Sequence, residues 1–425
     1  MHYLPRVIEA QVDQLMAGVP ALAIEGAKAV GKTATATRRA GTVFQLDDPA
    51  QLEIVRADPA RLTRGEHPIL IDEWQRYPPS WDLVRRAVDE DRAPGRFLLT
   101  GSFEPGDQPI HSGAGRIVTV RMRPMTLPER GVSTPTVSFA ALLAGERPAI
   151  EGRTEVGLDQ YVVEILKSGL PGLHGSIEAA RRAGLSGYID RIVTKDFPML
   201  GHLVRNPPAL RRWMTAYAAA TATTASYESI RDAATSGSGE KPARSTTAPY
   251  NDALEQLWVV EPLAAWTPSG VSIGRLSAPP KHHLVDPALA ARLLNVSDRA
   301  LLKGSDVGPR IPRKGTLLGA LFESLACLTV RVLAQAAGDA PVFHFRTRAG
   351  EREVDLIVEA DDDRVLALEV KLSRVVDDSD GKHLRWLREQ LGDRLAEAVI
   401  LSTGPEAYRR REDGIAVVPL SLLGP

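Results

Sequence analysis

The spacing of apolar and polar positions divides the chain into three stretches. From residue 1 to about 150, short apolar runs are separated by longer amphipathic stretches. The runs are ALAIEG (21–26), TVFQLDD (42–48), PILIDE (68–73), RFLLTGS (96–102) and RIVTVRM (116–122). Each of the first four is followed by a helix-like or loop segment, the pattern of a parallel sheet covered by helices. From about 155 to 300 the helical period dominates, in YVVEILKSG, in the Ala/Arg-rich stretch 177–196 and in LRRWMTAYAAATA. TSGSGEKPARSTTAP (235–249) interrupts it and reads as a flexible loop or hinge, being polar and rich in Gly, Pro and Ser. SYESIRDAA, that loop and YNDALEQLWVVEPLAAW together read as helix, turn, helix and a short strand pair, the order of a winged helix. The last stretch opens with the helix LLGALFESLACLTVRVLAQAA and continues with the strands EREVDLIVE and RVLALEVKL, a helix near 381–391 and the strand AEAVILST. The expected architecture is α/β, in three units: 1–150, a P-loop-type parallel sheet; 151–310, mainly helical with the winged-helix-like part; and 311–425, a second α/β unit.

Composition narrows the function classes. With 425 residues, 44% hydrophobic and 25% charged, the chain can bury sizeable cores. A net charge of −1 supplies no global attraction to nucleic acid, so any such contact would have to use local patches. The single cysteine, Cys327, rules out a disulfide framework and sits in an apolar helical pattern that implies inert packing. The N-terminus is broken by Glu9 and Asp13 and is not a signal peptide, and no segment approaches the roughly 18 uninterrupted apolar residues of a membrane span. The expectation is an intracellular, cytoplasmic protein with no transmembrane segment.

GAKAVGKT, residues 26–33, matches G-x-x-x-x-G-K-[ST] at every required position. ALAIE supplies the strand before it and KTATATRRA the helix after it, so backbone N–H groups can surround phosphates. Gly26, Ala27, Lys28, Ala29, Val30, Gly31, Lys32, Thr33 and Ala34 are the candidate cradle for ATP. Lys32 would reach the β- and γ-phosphates, and the Thr33 hydroxyl would help hold Mg²⁺. PILIDEWQ ends a strand in Asp72, placed to hold Mg²⁺ or its water shell. Glu73 follows and can orient or deprotonate an attacking water. One complete strand lies between the two motifs. Thr100 and Ser102, at the end of the LTGS strand, are candidates for sensing the γ-phosphate side, and Arg116 for an arginine finger acting on a neighbouring subunit. These parts suit hydrolysis, not only binding.

In EVDLIVEADDDRVLALEVK, a hairpin turning at Asp361-Asp362-Asp363 pairs 360 with 364 and runs outward to 355 opposite 369. Asp355 and Glu369 then face each other about 5 Å apart, with Lys371 on the same face as Glu369. Two opposed carboxylates need a cation between them, so Ca²⁺ or Mg²⁺ ligation, or neutralisation by Lys371, is expected. Pairing of both acids with Lys371 and arginines at a strand edge is the structural alternative. D-x13-E-x-K resembles the PD-(D/E)xK nuclease signature, in which the acids bind Mg²⁺ and the lysine steadies a water. That likeness makes Asp355, Glu369 and Lys371 candidate catalytic residues and Asp355 and Glu369 metal ligands. Glu323, on the preceding helix, completes the acidic set.

The series GAKAVGKT, LDDP, LIDEWQRYP, LLTGS, GR and RPMTLPE resembles a prokaryotic family of AAA-type (P-loop, ASCE) ATPases. Those proteins carry an uncharacterised C-terminal domain with a restriction-endonuclease-like core. SGLPGL (168–173), YIDRIVTKDFP (188–198), LVDPALAARLL (284–294), LLGALFESL (317–325), EVDLI (353–357) and LALEVK (366–371) extend the likeness over nearly the whole chain. The family usually has Pro-Arg-Gln where this chain has Ala27-Lys28-Ala29, and often an Asn where Ser324 stands. The resemblance implies an ATPase that assembles as a ring or dimer, so a homo-oligomer is a candidate assembly. A DNA-facing surface in the middle unit should be basic, yet YNDALEQL carries Asp252 and Glu255, with Arg244 and the pair Arg211 and Arg212 the nearest positive charges. A protein-contact or spacer role suits it better. Two functions follow: ATP hydrolysis controlling a C-terminal nuclease-like domain, or a nucleotide-dependent switch that binds DNA or a protein partner and cuts nothing.

Overall fold

The structure is a computed structural model describing residues 3–103, 113–201, 206–235, 241, 243–268, 279–305, 307–347 and 350–425. Five strands of the first stretch, β1 (Ala21–Glu25), β2 (Thr42–Gln45), β3 (Ile69–Asp72), β4 (Phe97–Gly101) and β5 (Ile117–Arg121), form a sheet in the order β2-β3-β4-β1-β5. All its pairings are parallel. β1, β3 and β4 are buried throughout, as strands covered on both faces must be. Side-chain alternation sorts them between two cores. Ala21, Ala23, Ile69, Ile71, Phe97 and Leu99 face Val55, Leu62, Val84 and Val88. Leu22, Ile24, Leu70 and Leu98 face a larger core that runs on through the middle helices to the C-terminal sheet.

Middle helices include Leu158–Lys167, Glu178–Arg191, Pro207–Ala219 and Tyr227–Thr235, with a π-helical turn at Ile192–Asp196. The hinge expected at 235–249 is not wholly a loop. A helix, Arg244–Gln256, begins inside it and carries Pro249, while 236–240 and 242 lie outside the described residues. Bridges Val260↔Leu284 and Leu263↔Lys281 pair the end of YNDALEQLWVVEPLAAW antiparallel with 281–284, not with a second strand inside that stretch as expected.

A sixth strand, β6 (Val137–Ser138), precedes the C-terminal set: β7 (Val342–Arg346), β8 (Glu353–Glu359), β9 (Val365–Val370), β10 (Leu395–Ser402), β11 (Tyr408–Arg409), β12 (Ala416–Pro419) and β13 (Leu423–Gly424). β7 to β12 form a mixed sheet in the order β11-β12-β10-β9-β8-β7, and β13 pairs with β6 in parallel. The β8–β9 hairpin has the expected register: Leu356↔Leu368 and Glu359↔Val365 fix it, and Ala360 N donates to Arg364 O. Both strands are interior to the sheet, so these acids do not stand at a strand edge, although Lys371 does pair with Glu369. Helix Leu317–Ala336 packs against β7–β9 and against helices Ile8–Met16, Leu158–Lys167 and Pro287–Leu293. It is long and apolar enough to cross a membrane, which the sequence reading did not expect, but 89% of its most apolar window is buried inside the protein.

One carboxylate ties the three stretches together. Glu261, in the middle stretch, pairs with Arg121 (2.9 Å) and Arg123 (2.7 Å) at the end of β5 and with Arg331 (3.4 Å) on the long helix. Arg331 also donates to Glu261 O and Pro262 O, both at 2.9 Å. Arg123 donates to Gln335, and Arg121 stacks over Trp258. Burial alone would raise the Glu261 pKa, but the three guanidiniums hold it below the usual carboxylate range. Glu261→Ala leaves those cations facing one another with their shared anion gone. Urea unfolding should show a loss of about 3–5 kcal/mol, against a near-zero change for the exposed Glu178→Ala.

Candidate functional site

At the C-terminal ends of β1, β3 and β4 the chain brings the two nucleotide motifs together. β4 lies between β1 and β3, with Ile24 level with Thr100 and Ile71 with Leu99. Gly26 (φ 142°) leaves β1 under the Met122 carbonyl, and a Cβ there would lie 2.1 Å from that oxygen, so only glycine fits. Ala29 (φ 64°) and Gly31 (φ 106°) complete the turn into helix Lys32–Thr37, shorter than the sequence pattern suggested. Arg6 braces the loop from behind, donating to Val30 O (2.6 Å) and Arg123 O (2.6 Å) and pairing with Glu129 at 3.0 Å.

Lys32 folds back on this loop, its ammonium donating to Gly26 O and Ala27 O at 2.8 Å each. Burial lowers its pKa to about 8, against the opposing pull of Glu73 and Asp72. Thr33 Oγ1 donates to Asp72 Oδ1 at 2.8 Å, so the two candidate Mg²⁺ ligands meet as a pair of hard oxygen donors. This donor pair fits Mg²⁺, and the glycine-only approach at Gly26 fits a phosphate cradle.

Thr100 and Ser102, expected to sense the γ-phosphate side, hold the two acids. Thr100 donates its hydroxyl to Asp72 and accepts from Glu73 N at 3.1 Å. Ser102 Oγ donates to Glu73 Oε1 (2.9 Å), and Gln75 Nε2 to Oε2 (2.5 Å). Burial raises the pKa of Asp72, opposed by the hydroxyls of Thr100 and Thr33. Glu73 has φ 55°, a left-handed backbone that turns its carboxylate out of the strand line. Gly101 is required beside it, since a Cβ would meet Trp74 Nε1 at 2.6 Å.

Arg116 stands elsewhere. It precedes β5, whose Ile117 is level with Ala21, so it lies at the sheet end opposite the loop, about 20 Å away at strand rise. It pairs with Asp89 at 2.7 Å and does not reach its own chain's site. The middle stretch does reach it. Lys28 pairs with Asp196 of the π-helical turn at 2.5 Å, and Tyr188 OH donates to Lys28 O at 3.4 Å.

The C-terminal acids line a cleft of about 690 Å³, together with Lys314, Arg346, Lys371 and His383. Glu323, Asp355 and Glu369 come together as the sequence suggested, but not around a metal position. Among the described residues no three His, Cys, Asp or Glu side chains are arranged to hold a metal ion. The ammonium of Lys281 stands among them, at 2.8 Å from Glu323, 2.8 Å from Asp355 and 3.3 Å from Glu353. Lys371 pairs with Glu369 at 2.9 Å, as its spacing suggested. Asp355 Oδ2 accepts from Val370 N at 2.9 Å. Burial would raise Asp355, but Lys281 holds it below its ordinary value. Glu323 and Glu369 are each pushed up to about 8 by burial and then by Asp355. Where Mg²⁺ ligation by Glu323, Asp355 and Glu369 was expected, the cation that the structure places among these acids is the protein's own lysine. Lys281, Glu353, Asp196, Glu261 and Arg6 were missed by sequence reasoning. Asp196, inside YIDRIVTKDFP, Glu353, inside EVDLI, and Glu261, inside YNDALEQLWVVEPLAAW, lay in stretches singled out for other reasons.

Residues 19–130 match a family model described as an AAA domain, and two models described as domains of unknown function match 158–300 and 318–423. Uncharacterized proteins of Mycobacterium tuberculosis and Mycobacterium bovis are each 27% identical over 419 residues, covering 96% of this chain and 82% of the relative. A solved structure of a Walker-type ATPase of Pyrococcus abyssi aligns with TM-score 0.39 and 14% identity, over 68% of this chain and 96% of that one. The AAA match supports ATP binding and hydrolysis by the N-terminal stretch. Neither model over the remainder carries an activity, and neither supports a nuclease-like domain.

Two outcomes are expected from this geometry. Asp196→Asn releases Lys28 toward incoming phosphates. A fluorescent ATP analogue should bind about fivefold tighter, and Lys28→Met should erase the gain, for an ion pair of roughly 1 kcal/mol. In the cleft, Glu323 and Glu369 keep their protons to about pH 8 when folded but release them near 4.5 when unfolded. The folded state therefore binds more protons through that window, and stability falls as pH rises across it. Glu369→Gln, which keeps Asp355, Lys371 and Lys281 around a neutral side chain, should flatten that slope in urea melts taken from about pH 5 to about pH 8.5.

Proposed function

We propose that the chain is a Mg²⁺-dependent ATPase whose cycle controls the C-terminal unit. The observation that carries this reading is the 2.8 Å contact of Thr33 with Asp72, with Glu73 next in sequence and Lys32 on the same loop. Bound Mg²⁺ would draw charge from the β- and γ-phosphates. Thr33 and Asp72 hold it, Lys32 leaves the loop carbonyls for the phosphates, and Glu73 orients the attacking water or takes its proton. Ser102 and Gln75 meanwhile set the Glu73 carboxylate. Arg116, too far from its own site, acts on a neighbouring copy in a homo-oligomer, and a cytoplasmic location suits the use of ATP.

Two contacts support control of the rest of the chain. Lys28–Asp196 couples the loop to the middle helices. The Glu261 cluster couples the end of β5, against which Gly26 packs, to the long helix under the C-terminal sheet. Control of a nuclease-like unit is the first form of this reading. Lys281 among the acids favours the second, a nucleotide-dependent switch that engages nucleic acid or a protein partner without cutting it.

Steady-state phosphate release by the purified full chain with ATP and Mg²⁺ tests the core claim. Glu73→Gln should retain nucleotide and lose about 10²- to 10⁴-fold in turnover. Lys32→Ala should lose nucleotide binding itself. Wild-type protein that releases no phosphate, alone or with DNA, would end the ATPase reading.

A further inference from the structure

The acid cleft of the C-terminal sheet already holds a cation, and that cation belongs to the chain. We propose that the Lys281 ammonium is the resident counter-ion of this cleft, and that the cleft takes no divalent metal while the lysine is in place. The inference stands whether or not the N-terminal site hydrolyses ATP.

The geometry is that of a filled site. Lys281 is 1% exposed, and its ammonium contacts Glu323, Asp355 and Glu353. An ammonium has three protons, and the carboxyl groups of Glu323, Asp355 and Glu353 face it. A divalent ion bound to Asp355 and Glu323 would share its ligands with that buried positive charge, and the two cations would repel. Lys371, the lysine of the nuclease-like signature, is turned to Glu369 and reaches Asp380 at 4.0 Å. Four acids of the inner cleft are thus answered by two lysines.

Lys281 is also fixed in place. It comes from the middle stretch, and its backbone exchanges hydrogen bonds with Leu263, Lys281 N to Leu263 O at 2.9 Å and Leu263 N to Lys281 O at 2.8 Å. On one side Pro279 O contacts His344 Nε2 at 3.1 Å, and on the other His282 Nε2 contacts Ala225 O at 2.7 Å. Displacing the ammonium would require breaking this pairing between the middle stretch and itself, or a rotamer change inside a packed wall. A cleft neutralised in this way is suited to binding and unsuited to metal-assisted phosphodiester cleavage.

The test is Mn²⁺ binding by nucleotide-free full-length protein, followed by electron paramagnetic resonance and calorimetry. Wild type and Asp355→Asn should bind Mn²⁺ identically, with no Asp355-dependent site, and neither should nick plasmid DNA. Lys281→Met, which removes the charge and keeps the length, should gain one Mn²⁺ site at least about tenfold tighter than any in wild type. That site should vanish in Lys281→Met with Asp355→Asn. Asp355-dependent Mn²⁺ binding or nicking by wild type overturns the proposal. A folded Lys281→Met that gains no site overturns it as well, because the acids would then not form the site that the lysine occupies. If Lys281→Met does not fold, wild type against Asp355→Asn decides alone.

Discussion

A single buried carboxylate sets the relation between the nucleotide end of the first sheet and everything after it. Glu261 is bonded to arginines from β5 and its exit and from the long helix, and it is itself part of neither. Separating any one of these elements takes a largely buried guanidinium group from its shared anion, a cost larger than that of breaking a surface ion pair. The exit of β5 is also where Met122 O covers Gly26 and where Arg6 reaches Arg123 O. The loop that would cradle phosphate therefore rests on a floor that is ionically continuous with the long helix under the C-terminal sheet.

This continuity gives the proposed switch a physical route. The front of the loop is touched by Asp196 through Lys28, and its back by Arg6. Phosphates arriving at the loop compete with Asp196 for one lysine and with loop carbonyls for another. Both exchanges alter contacts that the middle helices or the β1–β5 edge already make. The large core shared by all three stretches resists independent motion of the units, so movement has to pass through these polar contacts.

Much of this was legible in the sequence where signals are local or periodic. The phosphate loop, Asp72 and Glu73 follow from strand runs and fixed spacing. The Asp355–Glu369 register follows from a three-residue turn and the period of two. The unforeseen contacts join residues far apart in the chain: Lys28 with Asp196, Arg123 with Glu261, Lys281 with Asp355. A lone charged residue carries no periodicity that would announce its partner. Thr100 and Ser102 were singled out at their strand end, but their bonds to Asp72 and Glu73 were not foreseen, because strand order alone decides that β4 stands beside β3. The stretch 235–249 was judged on composition, yet Arg244–Gln256 is helical, with buried Thr247, Asn251 and Leu254 on its inner face. Tertiary packing outweighed its weak propensity.

Helix Leu317–Ala336 imposes a condition on how the protein is made. The strands β7, β8 and β9 that cover one of its faces follow it in the chain, so that face leaves the ribosome before its shelter exists, whereas the helices packed on its other faces precede it. For that interval a segment as apolar as a membrane span is presented to chaperones and to the insertion machinery. Glu323 and Arg331, which break its apolar run, then act as more than site residues: they are charges that oppose entry into lipid until the sheet arrives.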